Sequence, residues 1–170
     1  MFNLCRVMIN NGEKFLFKLR LKKILKKNTI IVCIGTPRIN GDSVGPVIGS
    51  KLVLHNCKYP VYGTISDPIT ALNSDQKITE IIKKHPNSTI LAIDSSATTK
   101  KNKLNKILLE NKPIEPGSAL NKQLIPIGDF SIKIINVFYD GNVDNLMNNL
   151  YNVNIDDVLS IADTIVNMIL

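Results

Sequence analysis

Short runs of β-branched and apolar residues alternate along this chain with stretches whose apolar residues repeat at helical spacing. The runs Thr29 to Gly35, Pro60 to Ile65, Ser88 to Asp94, Lys106 to Glu110 and Phe130 to Val137 predict five strands. Ile78, Ile81, Ile82 and His85 fall at i, i+3, i+4 and i+7 behind Asn73 or Ser74 as a cap, which predicts a helix. Ile155, Val158, Leu159, Ala162, Ile165, Val166 and Ile169 keep the same spacing after Asn154 and predict another. A third helix is expected from Asp42 or Ser43, either of which could cap it, to about Asn56. Pro46 lies in its first turn, where a missing N–H costs little, and Gly45 and Gly49 would let it lie close on a sheet. Strands alternating with helices in this way predict one three-layer α/β/α domain over residues 29–170, with a mostly parallel twisted sheet and right-handed crossovers.

Charge changes the picture only ahead of that domain. Residues 1–28 form a basic leader, expected to be helical; residues 13–28 carry seven Lys or Arg against Glu13 alone, so +6 of the net +7 sits there. Asn, Ile and Lys number 20, 25 and 18 of 170 residues, the usage of an AT-rich genome, so part of the basicity is compositional drift. A solvated lysine-rich helix face is the plain reading, and neither nucleic acid nor a membrane is expected as a partner. No apolar run approaches the roughly 20 residues of a membrane span, and the leader lacks the apolar middle and cleavage site of a secretory signal. Cys5, Cys33 and Cys57 have neither paired nor CxxC spacing, which speaks for a reducing cytoplasm and against a disulfide framework or a zinc knuckle.

The candidate chemistry starts at CIGTPRINGDSVGP, residues 33–46, where a strand runs through a glycine-bearing loop into a helix. A Walker phosphate loop fails there, because Gly35 and Gly41 enclose five residues instead of four and Asp42 replaces the phosphate-binding lysine. A carboxylate at that place would repel a phosphate at short range, and no G-x-G-x-x-G dinucleotide fingerprint fits either. The loop instead offers an acid at a helix start. A second acid, Asp94, ends the strand TILAI and precedes the small polar run Ser95 to Thr99. If the first strand has the next two on either side of it, Asp42 and Asp94 meet at the crevice outside the carboxyl ends of the strands. The helix dipole would favour ionised Asp42, and burial would favour protonated Asp94. Two carboxyls with opposed environments suit general acid and base work on a water.

Other residues bear on that crevice. Gly41 and Ser43 flank the first acid and Ser95 the second, so all three are candidate substrate contacts. Asp67 in GTISDP could line the crevice or merely start a turn before Pro68, and Asp129 in GDF reads as a turn residue. The loop from Glu115 to Leu120, containing Pro116, Gly117 and Ser118, could fold over the site. His55 and His85 end helices far from the strand ends, which argues against a Ser-His-Asp triad and against an imidazole metal site. Cys33, inside a strand, reads as a buried inert thiol.

The set CIGTPRINGDSVGP, VYGTISDPITALN, ILAIDSS and PIEPGSALNKQLIPIGDFSI, spread over about residues 29 to 139, resembles the YyaC-type sporulation proteins, a family related to the spore germination protease. The resemblance implies the three-layer α/β/α fold shared with that protease and with the hydrogenase maturation endopeptidases. It implies an atypical aspartic-type peptidase acting on small acid-soluble spore proteins, with Asp42 and Asp94 as the acid pair and Pro116, Gly117 and Ser118 matching a PGSG loop. It implies no cofactor, and the metal-binding histidine of the hydrogenase enzymes has no counterpart here. Two departures stand out: Pro37 replaces an expected acidic residue, and Ser95-Ser96 replaces an expected alanine and cysteine. The expectation is therefore a sporulation-associated peptidase in the cytoplasm of a mother cell, forespore or spore, with homo-oligomerisation left open. The alternative is a non-catalytic sporulation protein whose acidic crevice binds a peptide, a cation or a small ligand.

Overall fold

The computed structural model describes residues 11–116 and 124–170. Five strands, β1 (Thr29–Cys33), β2 (Val61–Tyr62), β3 (Thr89–Thr98), β4 (Lys106–Glu110) and β5 (Phe130–Phe138), form one sheet of order β2-β1-β3-β5-β4. Every residue of β1 is buried, as the apolar run IIVC behind Thr29 requires of a strand covered on both faces, and the Thr29 hydroxyl donates to Ile24 O at 3.0 Å. β1 runs parallel to β2 and β3, and β3 parallel to β5, while β4 returns antiparallel at the edge.

The helices are α1 (Asn11–Ile24), α2 (Val44–Leu54), α3 (Ser74–Lys84), α4 (Val143–Tyr151) and α5 (Ile155–Ile169). Alternation along the strands divides the core in two. Ile31, Cys33, Leu91 and Ile93 point to one side, where Leu21 of α1, Ile48 of α2 and Ile165 of α5 cover them. Ile30, Val32 and Ala92 point to the other, under Ile78 and Ile81 of α3. The result is a three-layer α/β/α arrangement on a mostly parallel sheet.

Five local details differ from the sequence reading. β2 is only Val61–Tyr62 of the run expected from Pro60 to Ile65. β3 continues four residues beyond Asp94, because the small polar run pairs with β5 as far as Thr98↔Phe138, across a register shift between Ser96 and Ala97. α4 was not expected; its cap is Asn142, whose side chain accepts from the N–H groups of Asp144 and Asn145. Neither Asp42 nor Ser43 caps α2, since Ser43 Oγ donates back to Asn40 O at 2.7 Å and the Asp42 carboxylate turns elsewhere. Asn73 likewise gives α3 no side-chain cap and accepts the Thr70 N–H at 2.8 Å instead.

The basic helix α1 is not a uniformly solvated lysine face. Phe17, Leu21 and Ile24 are buried in the core, whereas Phe15, Leu16 and Leu19 face solvent among the lysines.

Candidate acid-pair cleft

The loop after β1 folds back on itself because Gly35 has φ +135° and no side chain: a Cβ there would lie 2.1 Å from the Asp42 carbonyl oxygen. The chain then makes a 3-10 turn at Asn40–Asp42. Two bonds pin that turn: Asn136 Nδ2 of β5 donates to Gly41 O at 2.7 Å, and the turn's own Asn40 Nδ2 donates to Val153 O at 3.0 Å. The Asp42 carboxylate is thereby fixed, accepting the Thr36 N–H on Oδ2 at 2.7 Å and the Ser95 hydroxyl on Oδ1 at 3.1 Å. The second bond ties the loop after β1 to β3.

Asp94 sits one residue before that serine, in register with Lys133 of β5. Lys133 Nζ lies 3.2 Å from Glu110 of β4, and Glu110 in turn lies 3.3 Å from Lys112. An acid–base row therefore runs across one face of the sheet from β3 to β4.

Asp42, Asp94 and Ser95 all line one cavity of about 880 Å³ at the carboxyl ends of β1 and β3. β1 has β2 on one side and β3 on the other, so this is the point where strand order reverses and ligand crevices of α/β sheets form. Thr36, Arg38 and Lys133 add polar groups to the wall; Ile65, Leu72 and Ile114, with Leu146, Met147 and Leu150 of α4, add apolar ones.

Burial raises the pKa of Asp42, against the opposing pull of the Thr36 N–H and the Ser95 hydroxyl. This reverses the helix-dipole expectation, because the carboxylate is turned into the protein and desolvation outweighs the donors. Asp94 is raised well above the usual carboxylate range, first by burial and then by the charge of Asp42; the Ser95 N–H and Lys133 oppose this. The two acids thus differ mainly in their donors, and the pair favours holding a proton. For Glu110 burial again pulls upward, but Lys133 and Lys112 outweigh it and hold the carboxyl below its usual value.

The remaining candidates separate. Pro116 lines the cavity, and Gly117 and Ser118 lie outside the described residues. Gly41 and Ser43 are buried and border no part of it: a Cβ on Gly41 would meet Leu150 and Val153 at 3.0 Å. Asp67 is exposed, pairs with Lys77, and borders a separate cavity of about 210 Å³. Asp129 accepts the Ile90 N–H at 2.8 Å, bracing the entry to β5. His55 is exposed and His85 Nε2 meets the Tyr62 hydroxyl at 2.6 Å; neither lines the cavity. Cys33 is fully buried, and burial, then Cys57, pushes its thiol far up, away from the reactive thiolate. Among the described residues no three His, Cys, Asp or Glu side chains gather as a metal cluster, and no helix is long and apolar enough to cross a membrane.

Sequence reasoning missed Arg38, Lys133 and the α4 wall. For α4 the signal was present, as Val143, Leu146, Met147 and Leu150 repeat at helical spacing. For Lys133 it was not, because its neighbourhood to Asp94 exists only once β3 and β5 pair.

The chain is 39% identical over 119 residues to the "Uncharacterized protein YyaC" of Bacillus subtilis (strain 168), and the aligned stretch is 69% of this chain but only 58% of that relative's length. A family described as "Protein of unknown function (DUF1256)" matches residues 7–168, and the chain belongs to that family.

Proposed function

We propose that this DUF1256 member is a sporulation-associated peptidase of the germination-protease type, in which Asp42 and Asp94 activate a water for peptide hydrolysis. One observation carries the reading: the two carboxyls, Asp42 from the turn after β1 and Asp94 from β3, line the same large cleft, and burial pushes both toward the protonated form. Asp42, steadied by Thr36 and Ser95, is the better placed to stay ionised. It takes a proton from the water as oxygen attacks the peptide carbonyl. Asp94, the more strongly raised of the two, holds a proton and donates it to the carbonyl oxygen as negative charge develops there. Collapse of the tetrahedral species then breaks the C–N bond, as Asp42 passes the proton from water to the leaving nitrogen and a hydroxyl of the intermediate returns its proton to Asp94. Arg38 and the apolar wall of Ile65, Leu72 and α4 supply contacts for an extended chain.

The test is cleavage of small acid-soluble spore proteins by wild type, Asp42→Asn and Asp94→Asn. Wild type should cut and each variant should lose at least about a hundredfold in rate, the scale of a removed general acid or base. Equal cutting by all three removes the acid-pair mechanism. Stable binding of the substrate without cutting transfers the cleft to the non-catalytic reading, in which it only holds a peptide.

A further inference from the structure

The outer face of α1 belongs neither to the cleft nor to the core. Its inner ridge, Phe17, Leu21 and Ile24, is buried. At about 100° per residue the opposite ridge is Phe15, Leu19, Lys22 and Lys23, with Leu16 beside it. Phe15 is 63% exposed, Leu16 60% and Leu19 43%, and Lys22 and Lys23 are exposed as well. The helix is also tied down: Lys18 Nζ donates to Asn167 O at 3.3 Å and Arg20 to Leu109 O at 3.4 Å. A fixed helix therefore presents three large apolar side chains beside a cationic end, and residues 13–28, which overlap it, hold +6 of the chain's +7.

We propose that this face docks peripherally on an anionic lipid membrane, with Phe15, Leu16 and Leu19 entering the boundary between headgroups and acyl chains and the lysines meeting the phosphates. Charge selects this occupant. A second copy of the chain would bring like charge onto like charge over the same patch. A nucleic acid backbone would satisfy the lysines but would desolvate Leu16 and Leu19 against a charged, polar strand. An interfacial helix face combines Phe and Leu with Lys in this manner, and a surface of anionic lipid rewards both. The sequence reading is a merely solvated lysine-rich face; the outward turn of Phe15, Leu16 and Leu19 is what changes it. With three apolar side chains the docking is shallow, reversible and sensitive to salt.

The test uses the full chain and sedimentation with phosphatidylcholine vesicles, with and without phosphatidylglycerol. Binding should require phosphatidylglycerol and fall in high salt. Lys22→Glu/Lys23→Glu should weaken it more than tenfold, at about fivefold for each lysine merely removed, and Phe15→Ser/Leu19→Ser should weaken it severalfold. Both variants alter solvent-facing positions and should keep the wild-type melting temperature. No vesicle binding, equal binding to neutral vesicles, or indifference to both variants overturns the proposal. So does lysine-dependent binding to duplex DNA in place of vesicles, self-association that the Phe15→Ser/Leu19→Ser variant abolishes, or a lowered melting temperature showing the face to be packed.

Discussion

Asp94 carries a conflict within a single side chain, since it lies beside a second carboxyl and in surroundings that penalise its charge. The direction of the resulting pH effect follows from linkage. Its folded-state pKa lies above the unfolded value, so its contribution to stability is complete below the unfolded pKa of about 3.9. That contribution is lost as pH rises through the raised folded value. Asp94→Asn, which removes the charge, should therefore raise stability at pH 7 by on the order of 1 kcal/mol, a tenfold change in proton affinity being worth about 1.4 kcal/mol. The gain should vanish near pH 4, where wild type is protonated as well. Melting temperatures of both proteins at the two pH values decide it: an equal difference at both would mean that Asp94 is not raised. At this scale the sequence spoke clearly for two acids, because each follows an apolar run and a first strand flanked by the next two brings them to one crevice. It was silent on Ser95 as the donor to Asp42, since a serine beside an acid is visible and the bond to the other acid is not.

At the scale of elements, the cleft depends on how closely α2 lies against β1. A Cβ on Gly45 would stand 2.0 Å from the Ile34 carbonyl oxygen, a backbone atom with no room to retreat. Gly45→Ala should then cost about 3 kcal/mol or more, at the upper end of overpacking effects, and should displace the Gly35 turn that follows Ile34. Gly141 supplies the contrast, with φ +101° and nothing within 4 Å of its would-be Cβ. Gly141→Ala should cost only about 1 kcal/mol of backbone strain. Chemical denaturation of the two variants compares them; similar losses would mean that α2 can slide and that the cleft is less rigid than its packing implies. The strands and α3 and α5 were legible because their periodicities are strong. α4 carries an apolar repeat as well, but Asn145, Asn148 and Asn149 surround it with poor helix formers and weaken the signal. The extension of β3 escaped for a related reason, as Ser95 and Ser96 resemble a loop until β5 pairs with them.

For the whole molecule the open matter is what the leader contributes. Residues 29–170 read as a domain in themselves because the strand and helix patterns begin at Thr29, and a lysine-rich stretch ahead of them shows little apolar periodicity. That periodicity is weak because apolar residues occupy both sides of α1, Phe15 and Leu19 outside, Phe17 and Leu21 inside. Leu21 is fully buried and joins the same core as Ile165 and Ile48. A docked appendage and an integral part of the core make different predictions for the same substitution. If α1 is part of the core, Leu21→Ala should cost about 2–5 kcal/mol, the range for a buried leucine, and Ile165→Ala in α5 should cost a similar amount. Both should unfold in one transition, because losing α1 would bare the apolar face of α5. If α1 merely docks, Leu21→Ala should release the helix at little cost to the rest, and removal of residues 1–24 should leave the melting temperature nearly unchanged. Denaturant unfolding followed by near-ultraviolet circular dichroism, with hydrogen exchange on the α5 amides, separates the two. The complete burial of Leu21 in one core with Ile48 and Ile165 favours the first outcome, in which α1 and the domain unfold together.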